Sequence, residues 1–138
     1  MNAFVLDCSA TMTWCFEDEA SGDSDRLLHT LIDAEAVVPA IWALEVVNVI
    51  TLARKAGRID EAGAREVLGL LESLPISVDG ASLAVAFGDV RRLAETTGLS
   101  SYDAAYLELA LRHNLPLATR DEALRATARK RKVALLPV

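Results

Sequence analysis

Cysteine and histidine are scarce in this chain, with two of each among 138 residues. Cys8 and Cys15 are spaced as neither a C-x-x-C pair nor a zinc-finger ligand pair, so they read as reduced, partly buried thiols. His29 and His113 fall on expected helices with no acid at triad-like spacing, and read as structural. No apolar stretch reaches the roughly 18 residues that span a bilayer, which argues against a membrane protein. The opening MNAFVLDCSA has no basic segment before its apolar run, so the expectation is no secretory leader and a cytoplasmic location. A Gly-rich phosphate loop is missing, which argues against nucleoside-triphosphate chemistry. Positive charge is not in excess either. The net charge is −6, whereas nucleic-acid binders are more often basic. A set of acids clustered around metal ions would weaken that objection, because the metals cancel them locally.

What is present is globular. Apolar residues make up 52% and charged residues 25%, a composition that folds rather than stays disordered. The length fits one domain, residues 1–138, able to bury a core. Short apolar runs between turn residues predict strands at Ala3–Leu6, Ala36–Val38, Ile76–Val78, Leu115–Ala118 and Ala134–Leu136. Helices are expected over Leu27–Asp33, Ile41–Lys55, Asp60–Leu74, Ala81–Thr97, Ser100–Asn114 and Asp121–Lys132. Gly57 and Gly98 stand where helices should stop, and Asp60 where one should start. The acidic stretch Glu17–Asp25 is expected to be an exposed loop. Strands alternating with helices give an α/β fold: a mostly parallel central sheet of about five strands, covered on both faces. In such folds ligands bind beyond the carboxyl ends of the strands, near a switch in strand order.

Four acids fall near those ends. Asp7 ends the first strand, Asp121 follows a later one, Asp103 sits in the first turn of a helix, and Glu45 lies within Ile41–Lys55. Three have a purely structural reading as well. Asp7 suits the cap of the helix starting at Ser9. Asp103 suits the third position after Ser100, and Asp121 a first turn capped by Thr119 and Glu122. Glu45 does not. It sits past the first turn among apolar neighbours, and burying an ionised carboxylate alone costs several kcal/mol. A metal, a bound cation or a shared proton would relieve it. Oxygen-only ligands suit hard cations, magnesium (Mg2+) or manganese (Mn2+), rather than zinc. Two such ions roughly 4 Å apart can activate a water and stabilise the leaving oxygen of a phosphodiester.

The segments Phe4-Val5-Leu6-Asp7-Cys8-Ser9, the isolated Glu45, Ser101-Tyr102-Asp103-Ala104-Ala105-Tyr106 and Leu117-Ala118-Thr119-Arg120-Asp121 resemble PIN domains. Within these, the chain is similar to the VapC-type toxins of type II toxin–antitoxin pairs, over essentially its whole length. The resemblance implies a three-layer α/β/α PIN-like fold. It implies an Mg2+- or Mn2+-dependent endoribonuclease that hydrolyses RNA phosphodiester bonds with a metal-activated water, inhibited by a cognate VapB-type antitoxin. It also implies that Asp7 and Asp103 contact the metal directly and that Glu45 and Asp121 complete the acidic pocket. Ser9 and Thr119 match positions whose hydroxyls line such pockets, with helix capping as their structural reading.

Arg120, beside Asp121, is placed to grip substrate phosphate or an antitoxin carboxylate, or to screen the acids. The basic run Arg125, Arg129, Lys130, Arg131 and Lys132 suits either RNA phosphates or a solvated helix end. Trp14 and Trp42 read as core or interface residues ahead of base-stacking ones. The apolar helix around Trp42 to Leu52 suggests a surface shared with a second copy, hence a homodimer, or with another partner. An Asp-nucleophile phosphatase needs a second Asp where Ser9 stands. A receiver domain needs a mid-chain phospho-acceptor Asp and a late Lys that are missing. The remaining alternative is a catalytically inactive PIN-like module that only binds RNA or protein.

Overall fold

A computed structural model describes residues 2–138. Strands β1 (Ala3–Leu6), β2 (Glu35–Pro39), β3 (Ile76–Asp79) and β4 (Leu117–Ala118) form one sheet in the order β3-β2-β1-β4. Every pairing is parallel. Phe4, Val5 and Leu6 of β1 are all fully buried. A central strand covered on both faces reads as an unbroken apolar run, which is why β1 shows no alternation. The expected fifth strand is reduced to one bridge, Leu117 to Leu135. It is bounded by Lys132, whose φ is +59°, and by Pro137, which has no amide to donate.

The helices are α1 (Cys8–Met12), α2 (Gly22–Thr30), α3 (Ile41–Lys55), α4 (Glu61–Ser73), α5 (Leu83–Val85), α6 (Arg91–Thr97), α7 (Ser101–His113) and α8 (Glu122–Lys130). They flank the sheet, with α7 lying against β1, β2 and β4. One π turn, Ala86–Val90, joins α5 to α6, so the helix expected over Ala81–Thr97 is present with a widened middle. The expected loop at Glu17–Asp25 is instead more ordered. A 3-10 turn covers Glu17–Glu19, and α2 starts within the stretch. Ser21 Oγ accepts from the Ser24 amide at 3.0 Å while Ser24 Oγ accepts from the Ser21 amide at 2.8 Å. This is a capping box with Ser in the place usually held by Glu or Gln.

Strand order sets where a site can form. From β1 the chain builds β2 and β3 on one side, then returns to lay β4 on the other. The switch point therefore lies between β1 and β4. There the Asp7 amide donates to the Ala118 carbonyl at 3.1 Å, holding the two strand ends side by side. Gly98, at φ +77°, ends α6 in a left-handed turn, and Ser100 then caps α7 by accepting from the Asp103 amide at 3.1 Å. That turn brings the start of α7 to the carboxyl edge of the sheet. Arg112, near the other end of α7, ties that helix to β3, donating to Asp79 Oδ2 and to the buried Glu108 Oε1 at 2.6 Å each. Among the described residues, no helix is long and apolar enough to cross a membrane.

Leu107, fully buried on α7, is the side chain on which this helix–sheet contact is tested. Leu107→Ala should lower stability by about 2–5 kcal/mol in urea unfolding. A loss below about 1 kcal/mol would show that α7 is not packed as described.

Candidate active site

Asp7 leaves β1 with its backbone extended and caps α1. Its side chain is 5% exposed and densely bonded. Oδ1 accepts from the Ala10 amide and from Ser9 Oγ, each at 2.8 Å. Oδ2 accepts from Ser9 Oγ at 3.0 Å and from the Thr119 hydroxyl. The two hydroxyls are in turn fixed from across the switch point. Ser9 Oγ accepts from the Arg120 amide at 2.8 Å, and Thr119 Oγ1 from the Asp121 amide at 3.0 Å. Neither hydroxyl caps a helix. Thr119 is fully buried and Ser9 half-buried, so together they brace Asp7 against the start of the β4–α8 segment. Beneath the carboxylate, Thr11 Oγ1 donates to the Asp7 carbonyl at 2.7 Å and accepts from Trp42 Nε1 at 2.9 Å. Trp42 is thus a core residue with its one donor satisfied, as its apolar setting suggested.

Glu45 is half-buried on α3. Its neighbours Leu44 and Val47 face outward, at 67% and 49% exposure, so the helix does not enclose it as the sequence pattern suggested. Its partner is Tyr106 on α7, whose hydroxyl donates to Glu45 Oε1 at 2.5 Å. Tyr106 was in the quoted motif without a role. The available signal was a tyrosine, not a phenylalanine, at a core-facing helical position, since a buried phenol needs a partner. Asp103 is half-buried in the first turn of α7. Asp121 is the N-cap of α8, Oδ1 accepting from the Leu124 amide at 2.8 Å, in the role expected of Thr119. Arg120 turns its Nε toward the Val138 carbonyl at 3.3 Å, and Arg125 donates to the Thr119 carbonyl at 3.0 Å.

The electrostatics follow from this crowding. Burial pushes the Asp7 carboxyl up to about 6, against the lowering hydrogen bonds from Thr119, Ala10 and Ser9, and Asp103 adds a further push. Asp103 is raised by burial and then by Asp121, and Glu45 by burial and by Asp103 despite the Tyr106 bond. Tyr106 is held far above the ordinary phenol range by burial and by Glu45, so it stays protonated and can donate to Glu45. Burial takes both thiols, Cys8 and Cys15, up to about 12, which keeps them protonated. Among the described residues, no ion pair involves any of the four acids; the pairs engage other carboxylates. Asp103 is thus the acid through which the set interacts, and none of the four has a cation from the protein among the described residues.

An all-oxygen donor set of this kind fits a hard divalent ion. Among the described residues, no three acids converge closely enough to cage a metal. The arrangement therefore suits an ion that keeps several waters and takes one or two carboxylates directly, which is magnesium's habit.

A parallel α/β sheet with acids ringed at its switch point defines the class of fold. The family model of the PIN domain matches residues 4–130, and the chain belongs to the PIN domain family. Solved structures agree on the fold. PAE2754 from Pyrobaculum aerophilum superposes with a TM-score of 0.70 at 24% identity, covering 91% of this chain and 85% of that one. VapBC2 from Rickettsia felis, bound to a DNA fragment from its promoter, gives 0.68 at 14% identity, covering 96% of each. VapC20 from Mycobacterium tuberculosis, a sarcin–ricin loop cleaving toxin, gives 0.67 at 15%, covering 90% and 94%. No curated protein matches significantly.

The raised pKa of Asp7 has a measurable consequence. Below its ordinary value of 3.8 the acid is neutral folded and unfolded alike. As pH rises from there to about 6, the folded state resists ionisation and loses up to about 3 kcal/mol relative to the unfolded chain. Asp7→Asn removes that loss and keeps a capping side chain. In EDTA, the variant should match the parent near pH 4 and exceed its stability above pH 6, by thermal or urea unfolding. Equal stability across that range would mean that Asp7 is not desolvated as described.

Proposed function

We propose that the protein is a metal-dependent endoribonuclease, the toxin of a VapBC-type toxin–antitoxin pair, with Asp7, Glu45, Asp103 and Asp121 as its acidic site. The observation that carries this is the buried Asp7 carboxylate, aimed by four hydrogen bonds and left without a cation. Asp7 and Asp103 would hold the metal directly, with Glu45 and Asp121 completing the pocket. When bound, magnesium or manganese supplies positive charge to polarise a phosphodiester and to acidify a water. The chain's own part is positional. Ser9 and Thr119 fix the Asp7 rotamer, α7 presents Asp103 from its first turn, and Arg120 and Arg125, which flank Asp121 in the sequence, would offer two guanidiniums to the RNA backbone. The spread of the acids is the one observation that favours the alternative, a PIN-like module that binds RNA or protein without cleaving it.

Cleavage decides between them. The purified chain should cut RNA with Mg2+ or Mn2+, stop in EDTA, and lose at least 100-fold in rate on Asp7→Asn or Asp103→Asn, effects of the size metal ligands carry. Folded variants that cleave normally would refute the assignment. Sequencing the new ends from total RNA would identify the target.

Antitoxin partnership is supported by the Rickettsia felis VapBC2 neighbour and by a toxin–antitoxin complex from Klebsiella pneumoniae with a TM-score of 0.57. A homodimer is supported by one face of α3, where Leu44, Val47 and Leu52 stand exposed at helical spacing. In light scattering, the parent should have the mass of a dimer and Val47→Glu with Leu52→Glu that of a folded monomer. A monomeric parent, or an unchanged dimer, would remove this face from the account.

A further inference from the structure

We infer that Tyr106 is a positioning residue for the metal site, acting through Glu45. The inference rests on the proposed nuclease reading and goes one step past the four acids. Tyr106 is 1% exposed, so its ring is fixed by the core and its hydroxyl has a defined place. That hydroxyl donates to Glu45 Oε1, the one hydrogen bond to the Glu45 side chain among the described residues. Oε2 is left free. A half-exposed glutamate in mid-helix otherwise has three rotatable bonds and no reason to stay at the sheet edge. The bond confines it.

The sequence couples the two. Tyr106 follows Asp103 by three positions on α7, so both side chains lie on one face of that helix. One helix therefore delivers an acid to the site and a clamp for the acid that α3 brings. Packing alone does not call for a hydroxyl here, because a phenylalanine fills the same volume. Partners that orient a metal-binding side chain typically change metal affinity or activity by about 10- to 100-fold when removed.

The test is a double-mutant cycle on the full chain: parent, Tyr106→Phe, Glu45→Ala and the double variant. Mn2+ affinity is read by calorimetry, RNA cleavage by initial rates, and folding by thermal melts. We expect Tyr106→Phe to weaken Mn2+ binding about tenfold with the melt retained. In the Glu45→Ala background the same change should have no effect, because nothing is left to position. Parent-like Mn2+ affinity in Tyr106→Phe would overturn the inference. So would an equal loss in both backgrounds, which marks a role in packing. Should Tyr106→Phe fail to fold, Glu45→Asp, which keeps the charge but shortens the reach to the phenol, takes its place with the same expected loss, and full affinity there would overturn the inference. A parent that neither binds Mn2+ nor cleaves RNA would instead overturn the nuclease reading, and this inference with it.

Discussion

The carboxylate of Asp7 is buried where the two central strand ends meet, and the local structure is arranged around keeping it there. It caps α1, accepts from a hydroxyl on each side of the switch point, and its backbone is held by Thr11 and by Ala118. These bonds do not neutralise it. All its donors are neutral, and a buried carboxylate satisfied only by neutral dipoles still bears most of its desolvation cost. Stability alone would favour an asparagine. The acid is held at a cost, which the metal ion proposed for this site would relieve.

The other acids make sense as additions to that one. Asp103 and Asp121 stand at the starts of α7 and α8, where the helix dipole tolerates a negative charge. Each is cheap to place alone. Placed together they interact: Asp121 raises Asp103, and Asp103 adds to the rise of Asp7. Helix N-termini converge at the carboxyl edge of any parallel sheet, so the fold itself offers positions where acids can be gathered at small expense. Glu45 is the exception, being in mid-helix, and it is the one that needs a second residue, Tyr106, to hold it.

Much of this was legible in the sequence. The unbroken apolar run ending in Asp7, the bounds of α3, the caps at Asp60 and Ser100 and the stops at Gly57 and Gly98 are all local signals, set by a few neighbouring residues. What was missed depends on contacts between distant elements. The Tyr106–Glu45 bond spans 61 positions and the Thr119–Asp7 bond spans 112, and no local pattern encodes either. The Arg112 clasp between Asp79 and Glu108 is of the same kind. Two errors were local. The capping box opening α2 has Ser24 where the usual pattern has Glu, and Asp121 rather than Thr119 caps α8. Glu45 is less enclosed than its apolar sequence neighbours imply, because α3 turns Leu44 and Val47 outward, in keeping with the shared surface expected of this helix.

The net charge of −6 looks at odds with an RNA substrate, yet the sum conceals how charge is distributed. Several acids are already matched: Asp18 and Glu19 by Arg58, Asp79 and Glu108 by Arg112, Glu61 by Arg65. The four acids near the switch point are among those left without an ion pair among the described residues, and divalent ions would cancel them locally. Meanwhile Arg129, Lys130, Arg131 and Lys132 stand exposed at the end of α8, the helix that Asp121 begins. A polyanion approaching along that helix would meet positive charge first and the acids last. Screening confines each patch to about 10 Å at ordinary salt, so for the proposed RNA substrate the local order of charges along α8 would matter more than their total.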